Sequence, residues 1–230
     1  AVRARDDFLA LASHELRTPL TCVQLVVQSL ARAMREGEPV TPAHAEKLRQ
    51  LSRHVDRLGE LVSALLEVAE IAAGRLRVEP APFDLADLVR EVVDRFQPDA
   101  RRRGPPIALE VAGAIPGRWD RRRLGDALAA LVGNAVKYGA GTAIEVAAGL
   151  EGDHALVTVQ DHGPGISRDD QARVFERFER AVPIVHYGGF GVGLWTARQI
   201  VSAHGGSLEV RSDRGAGACF RLSVPLELPV

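Results

Sequence analysis

From Leu16 onward, apolar residues fall at Leu16, Leu20, Val23, Val27, Leu30 and Met34, alternately four and three apart. Leu48, Leu51, Val55, Leu58, Val62, Leu65 and Ala69 repeat the pattern. This spacing keeps one stripe of side chains on one side of a helix and is the heptad seam of a helical bundle. Between the two runs, Gly37 and Pro39 break the period, and Thr41 followed by Pro42 reads as an N-cap with proline at the first helical position. The expectation is one helix from Val2 to Met34 and a second ended by Gly74, joined as an antiparallel hairpin. A lone hairpin leaves apolar surface open. It closes either by pairing with a copy of itself into a two-fold four-helix bundle or by packing on a second domain of its own chain.

If Ser13, Leu20 and Val27 are a positions, then His14 falls at b and Thr18 at f, both turned away from the seam and stacked one turn apart. Glu15 follows directly and can hold the imidazole in one tautomer, leaving the other nitrogen free to attack. Pro19 should disturb the helix, because its ring crowds the Glu15 carbonyl and it has no N–H to donate. A solvent-facing histidine beside a carboxylate at an expected kink is a candidate nucleophile; the alternative is a solvated surface residue.

After Gly74, RLRVEPAPF over residues 75–83 reads as a short strand and linker with Pro80 and Pro82, and Asp84 should cap a helix running to about Arg102. Short alternating strands are expected at Ile107–Val111, Ala143–Ala147, Ala155–Asp161, Ser207–Arg211 and Cys219–Val224. Helices are expected at about Arg121–Tyr138 and Val192–His204. The fold class is therefore an all-α hairpin over residues 1–74, followed over 84–230 by an α+β two-layer sandwich with helices on one face of a mixed sheet. A hydrophobic fraction of 46% over 230 residues supports real cores, and a net charge of −1 argues against a general nucleic-acid or anionic-membrane binder. Cys22 and Cys219 offer neither metal spacing nor a disulfide framework, which fits a reducing cytoplasm. No apolar run approaches the ~20 residues needed to span a bilayer, so the chain is expected to be soluble. Its abrupt start, almost inside a helix, suggests a sensor or inner-membrane portion upstream.

The helix after Asp120 carries two stripes. Leu124, Leu128, Leu131 and Ala135 should face the sheet, while Ala127, Ala130, Asn134 and Lys137 lie about 90° round. Small residues ending in an amide and an ammonium suit a phosphate-bearing ligand, with the Asn134 oxygen able to reach Mg²⁺ and Lys137 a phosphate. A mid-helix asparagine making a local hydrogen bond is the plainer reading. In the strand ALVTVQD, Asp161 shares a face with Val157 and Val159, so it is either buried and paired or waiting for a donor. In DHGPGI, Gly163 and Gly165 let the backbone bend directly after it. From Ser167 to Gly188 no regular period persists apart from a short turn at QARVFERF that puts Phe175 and Phe178 on one side, and irregular segments this long are often functional lids. In GGFGVGLW, Gly189, Gly191, Gly193 and Leu194 lead into a helix, either as a hinge or as an anion site of free N–H groups.

The stretch FLALASHELRTPLT resembles the phospho-acceptor box of bacterial two-component sensor histidine kinases, matching at Phe8, Ser13, His14, Glu15, Leu16, Arg17, Thr18, Pro19, Leu20 and Thr21. The resemblance implies that His14 accepts the γ-phosphoryl of ATP, that Glu15 orients or deprotonates it, and that Thr18 positions water for dephosphorylation of a partner. RLGDALAALVGNAVKYG, DHGPGI, VFERF and GGFGVGLW resemble the asparagine, first glycine, phenylalanine and second glycine boxes of the GHKL ATP-binding domain in its histidine-kinase form. They imply that Asn134 holds Mg²⁺, Lys137 contacts phosphate, Tyr138 lies against the base and Asp161 accepts the adenine amino group. Phe175, Phe178 and the glycines of both boxes then shape the pocket and lid. Two positions depart from the family: Ala130 stands where a second asparagine is common, and Ala218 replaces the threonine of a late glycine box. Each removes one polar contact, about 1 kcal/mol for a neutral hydrogen bond.

The implied function is ATP-dependent autophosphorylation of a histidine in a homodimer, then transfer to an aspartate of a response-regulator receiver domain, with phosphatase activity toward that regulator. The alternatives are a signalling scaffold impaired in ATP binding and an enzyme that is mainly a phosphatase.

Overall fold

The computed structural model describes residues 2–35, 41–139, 141–177 and 191–227; the side chains of residues 2–12, 14, 15, 35, 57 and 60 lie outside the described set. Among the described residues the chain forms two compact units, residues 2–69 and residues 70–177 with 191–227.

The first unit is built on α1 (Val2–Arg35) and α2 (Pro42–Ala72), each longer than 30 residues. The Lys47 ammonium donates to the Ser29 hydroxyl at 2.8 Å and ties the two helices together. At the start of α2 the Thr41 backbone N–H donates to Nδ1 of His44 at 3.1 Å. The imidazole thus occupies the place that glutamate or glutamine holds in a capping box. Gly74 ends α2 at φ +67°, with Gly74 N–H on the Ile71 carbonyl and Arg75 N–H on that of Glu70. That pair of bonds is a Schellman motif, which uses a left-handed glycine to satisfy the last helical carbonyls. Pro19 does not interrupt α1. Pro19 is buried, and two residues on the Thr21 hydroxyl donates to the Arg17 carbonyl at 2.9 Å.

The second unit runs β1 (Ala81–Asp84), α3 (Leu85–Arg103), β2 (Ala108–Val111), β3 (Pro116–Trp119), α4 (Arg121–Tyr138), β4 (Ile144–Glu151), β5 (His154–Asp161), α5 (Arg168–Arg173), α6 (Gly193–Ala203), β6 (Ser207–Ser212) and β7 (Ala218–Pro225). Five strands form a mixed sheet in the order β2-β4-β5-β7-β6, parallel only between β2 and β4. Along β5 and β7 every second residue is buried, including Val157, Val159, Phe220 and Leu222. That face packs against the apolar sides of α3, α4 and α6, where Leu88, Leu124, Leu131 and Ile200 are almost fully buried. Asp84 caps α3 by accepting from Ala86 N–H, and the same oxygen accepts from Ile115 N–H.

Three features differ from the sequence reading. The short strand expected within residues 75–83 falls at the end of that segment, as β1, and it pairs antiparallel with β3, a strand outside the sequence reading, Ala81 opposite Trp119. The sequence pattern hides β3 because Pro116 and Gly117 depress strand propensity, yet Gly117 leaves the space that the Trp119 ring fills. β4 continues past Ala147 to Glu151 and turns through Gly152 at φ +63°. The helical turn near Phe175 sits earlier than expected, as α5, because Ser167 caps it and Asp169 and Asp170 lie in its first turn.

His204, at the end of α6, is fully buried. The Ile200 carbonyl at 2.8 Å can only accept, so Nδ1 carries the proton and Nε2 accepts from Asp120 N–H at 3.0 Å. Burial holds the ring's pKa below its ordinary 6.5. The unfolded chain therefore binds a proton that the folded one refuses. This contribution to stability is complete above pH 6.5 and is lost as pH falls below it, at up to about 1.4 kcal/mol per pH unit. Urea unfolding midpoints at about pH 7.5, 6.5 and 5.5 should drop more steeply for the wild type than for His204→Gln; parallel curves would contradict this.

Candidate nucleotide site

The candidate site is assembled in the second unit from the C-terminal half of α4, the end of β5 and the start of α6. Asp120 positions α4: one carboxylate oxygen accepts from Arg123 N–H and the other from Glu79 N–H, each at 3.0 Å. These bonds hold its pKa below the ordinary carboxylate value against the cost of burial. From that cap the helix presents Ala130, Asn134, Lys137 and Tyr138, all half-buried, away from its sheet-facing stripe. The Lys137 ammonium lies 4.9 Å from the centroid of the Tyr138 ring, a cation–π contact that holds both side chains at the end of the helix.

Asp161 is the last residue of β5 and is 6% exposed. Its Oδ1 accepts from Gly163 N–H at 2.9 Å, and Ala218 N–H also donates to the carboxylate. Burial pushes its pKa up, and the two N–H donors and the neighbouring His162 pull against that shift. Gly163 packs on the end of α4: a Cβ there would lie 2.9 Å from both the Gly139 Cα and the Tyr138 carbonyl. Gly165, at φ +70°, leaves no room for a side chain against the Asp213 carbonyl. The loop after Asp161 is thereby held between the α4 terminus and the turn before β7.

Gly191 adopts φ +67° and delivers the chain into α6. Val192 caps that helix without a side-chain bond, so Gly193, Leu194 and Trp195 N–H groups lack intrahelical acceptors. Gly193 is exposed and sits 3.7 Å, measured from where its Cβ would be, from Ala130 on α4. The position where the resembled family often carries a second asparagine is thus a packing contact between α4 and α6. The other departure is milder than the sequence suggests, because Ala218 still reaches Asp161 through its backbone.

The fold brings Asn134, Lys137, Tyr138, Asp161, Gly163, Gly165, Gly191, Gly193 and Leu194 into the unit that holds the nucleotide boxes. Phe175 is buried and meets Phe220 edge-on, with ring centroids 6.3 Å apart. Phe178 and Gly189 lie outside the described residues. His14, Glu15 and Thr18 lie on α1 in the first unit; Thr18 is exposed, and the side chains of His14 and Glu15 are outside the described set. The sequence reading missed three participants: Gly139, whose small size admits Gly163 and Asp161, Gly217 beside Asp161, and Trp195. Gly217 stands in the late glycine box, where the sequence draws attention only to the missing threonine at Ala218.

The donor set fits an adenine nucleotide. Asp161 retains acceptor capacity beyond its two backbone donors, glycines line the approach, and a lysine and a helix N-terminus whose first N–H groups have no intrahelical acceptor suit phosphates. Among the described residues no helix is long and apolar enough to cross a membrane.

Two family models match. Residues 4–74 match the His Kinase A phospho-acceptor domain, and residues 119–228 match the histidine kinase-, DNA gyrase B- and HSP90-like ATPase. The chain is 33% identical over 226 residues to the alginate biosynthesis sensor protein KinB of Pseudomonas aeruginosa, covering 97% of this chain and 37% of KinB. Among solved structures, full-length ShkA in complex with AMPPNP is 29% identical with a TM-score of 0.72, over 98% of this chain and 46% of ShkA. The histidine kinase AdeS of Acinetobacter baumannii shares the fold at 23% identity, with a TM-score of 0.71 over 93% of this chain and 98% of that one. The chain spans about a third of the length of KinB. With a phospho-acceptor domain followed by a GHKL-type ATPase domain, the chain belongs to the sensor histidine kinases and carries their catalytic core.

Proposed function

We propose that this chain is an ATP-dependent protein-histidine kinase that phosphorylates His14 and passes the phosphoryl group to an aspartate of a response-regulator receiver domain. The observation that carries this is the convergence of buried Asp161, its glycine loop and the N-terminus of α6, which has no side-chain cap, around α4. Asp161 accepts the adenine amino group, Tyr138 lies against the base, and Lys137 and the α6 N–H groups take the phosphates. Mg²⁺ held through the Asn134 oxygen would neutralise phosphate charge. The neutral imidazole of His14 forms the N–P bond as the bond to the ADP oxygen breaks, and Glu15 orients the ring and takes its remaining proton. Positioning and charge neutralisation supply most of the rate. Thr18, one turn on, positions water for the reverse reaction on the phosphorylated regulator.

The hairpin supports a homodimer. Leu16, Val23, Leu30, Leu51, Leu58 and Leu65 are half-buried, whereas Leu20, Val27, Met34, Leu48, Val55 and Val62 are exposed, from 46% to 81%. Each heptad seam is therefore half used within one chain, and a second copy covers the other half.

With γ-labelled ATP and Mg²⁺, the purified chain should acquire acid-labile label that His14→Ala and Asn134→Ala each abolish. Label retained in His14→Ala would overturn the assignment. Absence of Mg²⁺-dependent ATP binding would favour the scaffold reading instead.

A further inference from the structure

Two cation–π contacts connect α6 to the segment that follows α5, and they cross. The Arg177 guanidinium lies 4.3 Å from the centroid of the Trp195 ring, and that of Arg198 lies 5.4 Å from the centroid of Phe175. Each element thus contributes one ring and one cation. Both rings are largely withdrawn from water, Trp195 at 6% and Phe175 at 8% exposure, while both arginines are exposed. Phe175 is further anchored on the sheet through Phe220. Trp195 and Arg198 are three apart and share one face of α6.

Arg177 adds nothing to the core, so core packing does not account for its position. What its contact fixes is the first turn of α6. Trp195 is the third residue of that helix, and its own N–H is one of the three without an intrahelical acceptor. A bulky helical side chain leans toward the helix N-terminus, so a cation stacked on the ring also adds positive charge at the end where phosphates are expected. Phe175 and Phe220 supply a fixed base, and Arg177 extends it to the turn that must hold still while anions bind.

We propose that Arg177 and Trp195 are a positioning pair that pins the first turn of α6 against the segment after α5 and thereby sets the affinity of the site for the nucleotide phosphates. This rests on the ATP-binding reading above. Neither residue is assigned contact with the reacting atoms.

The test is calorimetric titration of the 230-residue chain with Mg²⁺–ATP, alongside thermal melting without nucleotide. Arg177→Gln and Trp195→Leu should each raise Kd roughly 3- to 10-fold, the range expected for loss of a partly desolvated cation–π contact. The double variant should be no weaker than the worse single one, and Arg177→Lys and Trp195→Phe should recover most of the affinity. In His14 labelling, Arg177→Gln should raise KM for ATP by the same factor with kcat within about two-fold, while its melting temperature falls by no more than a few degrees. If Trp195→Leu does not fold, Arg177→Gln decides alone. Wild-type affinity in Arg177→Gln, or additive losses in the double variant, would overturn the pair while leaving the kinase assignment standing. A wild-type chain that binds no ATP would overturn both.

Discussion

Asp161→Asn should weaken ATP binding about 100-fold, as measured by calorimetry, without loss of the fold by circular dichroism. In the folded protein the Asp161 carboxylate already receives the N–H groups of Gly163 and Ala218. The exocyclic amino group of adenine would be a third donor. A carboxylate has acceptor sites for three donors over its two oxygens, whereas an asparagine amide has one accepting oxygen and presents its NH₂ on the other side. Whichever way the amide turns, one donor faces another donor in a site largely withdrawn from water. Leaving a buried donor unsatisfied costs about 1–3 kcal/mol, and the loss of a charge-assisted bond brings the total to about 3 kcal/mol, or 100-fold. The effect on stability runs the other way. Burial raises the Asp161 pKa, so ionised Asp161 costs the folded state free energy at neutral pH, and the neutral amide removes that cost. The variant should melt at or above the wild-type temperature while binding poorly. Affinity within ten-fold of wild type would show that Asp161 does not read the base.

Most of the architecture could be read from periodicity because the hydrophobic pattern and the final burial agree. The heptad spacing of the first third produced two long helices, and the alternation at Val157, Val159 and Asp161 is the burial pattern of β5. Gly74 and Asp84 announced the end of one helix and the start of the next through local chemistry alone. Where the structure departs, a tertiary partner overrides a poor local signal. β3 reads PGRW and has no strand-like run, yet it pairs with β1 because Trp119 is fully buried, with its indole N–H on the Pro225 carbonyl at 2.6 Å. No window of sequence contains that partner, which lies 106 residues away.

The site divides along the same line. Asn134, Asp161 and the glycines of both boxes stand out in the sequence because their types are costly where they fall. A mid-helix amide, a carboxylate in line with core valines and glycines beside a helix start all need a reason. Residues whose role is spatial were not visible. Asp120 reads as one more helix cap, but its backbone N–H also bonds the buried His204, and its carboxylate the segment before β1. Ala130 reads as a lost ligand until Gly193 is found against it. Trp195 lay inside a quoted motif, but nothing in the string says which cation covers its ring.

The turn before β7 gives the sharpest contrast between two glycines of similar backbone. Gly215 and Gly217 both adopt left-handed φ, +81° and +82°. At Gly215 a Cβ would meet nothing within 4 Å, so Gly215→Ala pays only for the backbone, about 1–2 kcal/mol. At Gly217 a Cβ would fall on the carbonyl of Asp161 and against the His162 Cα. Those atoms are backbone and cannot swing aside as a side-chain end would. The start of β7 would have to separate from the end of β5, costing the register at Gln160 and Cys219 and the Ser212 hydroxyl bond to the Gly217 carbonyl. Gly217→Ala should therefore destabilise by at least about 3 kcal/mol, within the range of severe single substitutions that combine backbone strain with overpacking. It should also suppress nucleotide binding in whatever fraction remains folded, because the displaced strand carries Ala218 N–H away from Asp161. Urea unfolding of both variants with and without Mg²⁺–ATP tests this. The nucleotide should raise the midpoint of Gly215→Ala as it does the wild type and leave that of Gly217→Ala unmoved. Equal losses in the two variants would mean that backbone conformation alone, and not the contact with Asp161, accounts for the glycine.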